Sequence, residues 1–235
     1  MADSAEQRQR IEAALCGAVA GAARAGDPGA PEGMIAVSES LAARGGLDVD
    51  DARQGPLNGR SGVDLLLGAL PFGLATPLDR PRLRRDAYRF AAALHADEGT
   101  TLLCVAAALV AADLSRFDAV TTAIRVRQSL LEDAPMALLN RLTLLGDESA
   151  AECADPDPGC VLQLALSVVG WTDAAGVRAA LERVDAGASG PAAALVGALA
   201  GAASGTCDVP VEERVAERAS RAAAGLAGLA AAAVG

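Results

Sequence analysis

The segment Asp185–Gly205, DAGASGPAAALVGALAGAASG, decides the fold. Its second half is rich in Ala and Leu, with glycines four apart at Gly197, Gly201 and Gly205. A helix built this way has one face without side chains, so another backbone can lie close against it. The first half, GASGP, has the form of a loop feeding a helix start, with Pro191 in the first turn, where a missing N–H costs nothing. Such a mouth ordinarily carries polar groups. This one offers little beyond Ser189 and, upstream, Asp185.

The rest of the chain follows the same plan. Of its 235 residues, 52% are hydrophobic and only 2% aromatic, so the core must be built from Ala, Leu and Val. Small side chains bury little area each, and helices compensate by packing their axes closer. Alternating β-branched or aromatic runs are nearly absent. The expectation is a compact, all-α, multi-helix bundle with small-residue packing, a single domain over 1–235. The pattern predicts helices over Ser4–Ala25, Met34–Arg44, VDLLLGAL, PRLRRDAYRFAAALH, EGTTLLCVAAALVAADL, Asp118–Glu132 and onward through Leu145. Further helices are expected over CVLQLALSVVGW, DAAGVRAALERV, the glycine-faced segment and from Val211. PFGLATPLD has the composition of a turn, and GDESAAECADPDPG that of an exposed loop.

Charge and composition exclude several functions. The formal net charge is −10 and every one of the 20 basic residues is arginine, which rules out lysine Schiff-base chemistry and a phosphate-loop lysine. An acidic chain makes a poor generic nucleic-acid binder, since phosphate contacts need a basic face. One histidine and five cysteines without metal-ligand spacing make a zinc site improbable. Cys153 and Cys160 could form a local disulfide, although a reduced, cytoplasmic protein is expected. The acidic N-terminal segment does not suit a signal peptide, and the apolar run LLCVAAALVAA is short of the ~20 residues that span a bilayer.

Four segments, in order, give the chain a resemblance to a known family. RIEAALCGAVAGAARAG, SESLAARGGLDVDDAR, LPFGLA followed by LHADEGTTLLCVAAALVAADL, and GASGPAAALVGALAGAASG resemble successive signature helices of the ADP-ribosylglycohydrolases. That resemblance implies a helical bundle and a two-magnesium site held by TDDT and GDTDT motifs. Here the TDDT slot falls on Pro28, Gly29, Ala30 and Pro31, and the GDTDT slot on Gly187, Ala188, Ser189, Gly190 and Pro191. The aspartate that the family carries after the opening helix's second glycine becomes Ala22, and the segment between the second helix and the proline turn is shortened to little more than QGPLNGRSG. The resemblance is to a degenerate member with no metal site and no cofactor, since hard cations need oxygen ligands that these slots lack.

Candidate functional residues follow from this. His95 and Asp97, in LHADE, match the family's THxDP and could do general acid–base work, or they could simply end one helix and cap the next. Ser189 and Asp185 could bind a ligand at the glycine-faced helix mouth, or be plain loop residues. Arg84 and Arg85, within a cluster with Arg80, Arg82 and Arg89 around Tyr88, could grip a phosphate or form a solvated helix face. Trp171 is expected in the core. Two functions stand side by side: a binding protein for a small, ADP-ribose-like ligand or a protein partner, and a metal-independent enzyme of altered chemistry. A third is a homodimer joined through Ala/Gly helix faces.

Overall fold

In the computed structural model, residues 4–60, 62–142, 157–172, 175–184 and 187–232 are described. They form twelve helices and, among the described residues, no strand. These are α1 (Ser4–Arg24), α2 (Glu32–Arg44), α3 (Val49–Gln54), α4 (Gly62–Ala75), α5 (Arg80–Ala93) and α6 (Glu98–Leu114). They continue as α7 (Ala119–Leu130), α8 (Met136–Arg141), α9 (Pro158–Trp171), α10 (Val177–Glu182), α11 (Gly190–Ser204) and α12 (Glu213–Ala232).

The centre is the antiparallel pair α1 and α11, the most extensively packed two helices. Gly17 faces Gly197, Gly21 faces Ala193 and Gly201 faces Ala13, backbone on backbone. The glycine face therefore lies at the axis of the molecule. A second close crossing brings Gly73 of α4 onto the backbone of Ala108 in α6. These approaches let a core of alanines and leucines reach continuous packing.

One sequence expectation is corrected here. PFGLA is not a turn: α4 runs straight through Pro71 to Ala75. A proline inside a helix removes one hydrogen bond and crowds the carbonyl four residues back, a cost of roughly 3 kcal/mol. Here Val63–Ala75 is buried throughout, so packing on several neighbours outweighs the local penalty. The apolar run decides, not the breaker.

Helices α4, α6, α9 and α11 run the same way. Gly62 approaches Thr100 and Pro158 at their starts, while Leu114, Gly170 and Ala203 line a common cavity at their ends. α1, antiparallel to α11, delivers the 25–31 loop to the same end as the four helix starts. The outer helices α5 and α7 are joined through α6: the fully buried Asp113 carboxylate receives Arg80 Nη1 at 2.9 and 3.0 Å and Arg125 Nε at 3.2 Å. α12 spends Ala219, Ala222, Ala223, Leu226 and Ala227 within the chain, against α1, α2 and α4. Trp171 lies half-buried at the end of α9, packed against the core. The further helix expected through Leu145 is described as α8, Met136–Arg141, while residues 143–145 and the stretch GDESAAECADP lie outside the described residues.

Candidate functional site

The two loops singled out in the sequence meet. Asp27, in the turn after α1, lies on Gly190, the first residue of α11; a Cβ at Gly190 would overlap its side chain. Asp27 Oδ1 accepts the Gly29 N–H at 3.3 Å, which fixes the turn. Ser189 is the N-cap of α11, its hydroxyl accepting the Ala192 N–H at 3.4 Å. A carboxylate and a hydroxyl thus sit at the positive end of the α11 dipole, where negative charge is favoured. Asp185 lies outside the described residues.

Two hard cations would need about six oxygen ligands each. Among the described residues the contact between the two loops brings one carboxylate, Asp27, and one hydroxyl, Ser189, both engaged with backbone N–H groups. Among the described residues no three His, Cys, Asp or Glu side chains gather around one point. The donor set does not fit a pair of magnesium ions.

His95 and Asp97 share the turn between α5 and α6 but have separate tasks. His95 is exposed and holds a left-handed backbone (φ 58°), reversing the chain after α5. Asp97 caps α6: Oδ1 accepts the Thr100 N–H at 2.9 Å and Oδ2 the Thr100 hydroxyl at 2.7 Å. The Thr100 hydroxyl first, and then its N–H, hold this carboxyl below its ordinary value of 3.8. Asp118 caps α7 in the same way through Thr121, with the same direction of shift. Both oxygens of Asp97 are occupied by its own helix. Asp97→Ala should therefore cost about 1 kcal/mol, the usual value of an N-cap. Because the folded pKa lies below the unfolded one, that contribution is present above about pH 4 and is lost as pH falls through the folded value. Urea midpoints at neutral pH and near pH 2 should differ between parent and variant only at the former; an equal gap at both would remove the carboxylate from the cap.

The arginine cluster separates into individual structural pairs. Arg84 bonds Asp133 and donates to the Ser129 carbonyl at 2.7 Å, tying α5 to the end of α7. Arg85 pairs with the adjacent Asp86 at 3.0 Å, and Arg82 donates to the Gly45 carbonyl at 2.7 Å. The exception is Asp86, which Arg82 Nε also reaches at 3.6 Å, so the anion shared within the cluster is a carboxylate of its own helix. Cysteine chemistry is also subdued: burial pushes the Cys16 thiol up to about 12 and raises that of Cys104 further. Arg141 donates to Cys160 Sγ at 2.9 Å, and Cys153 lies outside the described residues.

The feature missed from sequence is a cleft of about 490 Å³ beneath α3. Leu41, Leu57, Phe72 and Phe90 form its apolar interior, with Val37 of α2 and Ala52 of α3 on facing walls. Leu57 reaches this position because Gly33 and Gly68 leave room for it. The short LDVDDARQG segment folds as α3, with Asp48 as its N-cap accepting the Asp50 and Asp51 N–H groups at 3.0 and 3.1 Å.

Comparison of the chain with known family models and with curated proteins finds no match. No described helix is long and apolar enough to cross a membrane.

Proposed function

We propose that this chain is a degenerate, ADP-ribosylglycohydrolase-like protein that binds a ligand and does not carry out two-metal hydrolysis. The observation that carries the reading is the junction of Asp27 with Gly190: the two loops that would cradle metals are in contact, and the side chains of Asp27 and Ser189 brace or cap the loops themselves. His95, Asp97, Arg84 and Arg85 do not converge on this junction through any contact. What supports binding is the cleft beneath α3, of a size that takes a small organic molecule. A negative charge at the α11 mouth also disfavours a phosphate there, so an ADP-ribose-like ligand would have to be held elsewhere.

The test is direct. Millimolar magnesium or manganese should leave the melting temperature unchanged, because a ligand stabilises only what it binds. ADP-ribosyl-arginine incubated with the protein and magnesium should stay intact. An upward shift reversed by chelator, or magnesium-dependent release of ADP-ribose, would overturn the reading.

A further inference from the structure

We infer that the cleft beneath α3 is a binding site for an uncharged, largely apolar small molecule, with α3 as its lid. The argument starts with α3 itself. It has six residues, none of them fully buried, and Ala52 is its one side chain packed against the core, so little apolar contact holds it down. Side chains hold it instead, on both flanks. On the α2 side Ser40 Oγ donates to Asp51 Oδ2 at 2.8 Å, and Arg44 reaches Asp51 at 3.4 Å and Asp48 at 3.7 Å. On the α5 side Arg53 Nε donates to the Ala93 carbonyl at 3.4 Å. A short helix tied by a few polar contacts over an apolar chamber can lift without disturbing the core beneath it.

The lining charges choose the ligand. Glu39, Asp48 and Asp51 border the cleft against a single lining arginine, Arg44, so an anion meets repulsion. Each of these carboxylates already has a cationic partner: Arg218 binds Glu39 with two hydrogen bonds, at 2.5 and 2.7 Å, and Arg44 takes the other two. A cation would have to displace one of these pairs. An uncharged molecule breaks none of them and covers the partly exposed Val37, Leu47 and Ala52. This inference names a ligand class for the binding reading above, and it is separable from it: magnesium-dependent hydrolysis and cleft occupancy are independent measurements.

The test uses two fluorescent probes with one aromatic skeleton, neutral N-phenyl-1-naphthylamine and its sulfonated counterpart 8-anilinonaphthalene-1-sulfonate. The neutral probe should bind the whole protein saturably, one per chain, and about tenfold or more tighter than the sulfonate. Val37→Phe and Ala52→Phe fill the cleft from its two walls, and each should weaken the neutral probe by about tenfold or more with helical circular dichroism retained. If Val37→Phe does not fold, Ala52→Phe on the outer helix decides. Unsaturable binding, equal or tighter binding of the sulfonate, or undiminished binding by the folded Ala52→Phe variant would overturn the site. So would binding abolished by Ile124→Glu alone, which would move the probe to the exposed apolar side of α7.

Discussion

Leucine in place of Gly201 should cost about 3 kcal/mol or more and leave a protein that melts far below the parent. The cause is the axis of the fold. A Cβ on Gly201 would fall on the carbonyl of Ala13, and on the backbone nitrogen of Ala14 at 2.8 Å. Those are main-chain atoms of α1, which cannot swing aside as a side-chain tip can. Relief requires α1 and α11 to separate along their whole contact, including Gly17 against Gly197 and Gly21 against Ala193. Alanine at 201 meets the same obstruction with its only side-chain atom, so it should already be destabilising, although alanine is the better helix former. Thermal and urea melts followed by circular dichroism measure both. An unperturbed Gly201→Leu melt would mean that the two helices do not cross here.

Asp113→Ala should cost about 3 kcal/mol, the second largest single effect expected. The carboxylate is fully buried and joins two arginines from different helices. Removing it leaves Arg80, 25% exposed, and Arg125, 38% exposed, facing each other without a counter-ion. Both guanidinium groups reach solvent in part, which limits the loss to the lower end of what broken buried pairs cost. Arg80 keeps its bond to the Ser129 hydroxyl at 2.7 Å, and Arg125 its position over the Phe117 ring at 4.4 Å. Replacing Arg80 and Asp113 together by methionine and leucine should recover much of the loss, because no unpaired charge remains on that side. If Asp113→Ala and the double variant melt together, the ion pair is not what fastens α5 to α6.

The sequence makes the helices legible wherever composition and periodicity agree. EGTTLLCVAAALVAADL becomes α6 over the same residues, and the glycines at 197 and 201 mark a close crossing because nothing else explains an empty face. It misleads at Pro71, where a local breaker is overridden by burial that only the assembled neighbours supply. The arginines of α5 show a different limit. Their pairing with Asp113, Asp133 and Asp86 depends on partners up to 49 residues away, which no local pattern reveals. The cleft was illegible for the same reason: it is a gap between α2, α3 and α5, and a gap has no residues of its own. Asp27 was hidden by its setting, since GDPG signals a turn and says nothing of the helix start it will touch.

The crossing of α1 with α11 also has a consequence for how the chain is made. Gly17 and Gly197 are 180 residues apart, so α1 waits for the synthesis of α11 before its main contact can form. At roughly 5–20 residues per second, that interval is on the order of ten seconds or more. Throughout it, Ile11, Leu15 and the bare backbone of Gly17 and Gly21 are without their native cover. The nascent chain therefore carries α1 uncovered over that whole interval. The synthesis of α11, rather than any local step, sets when the native centre can close.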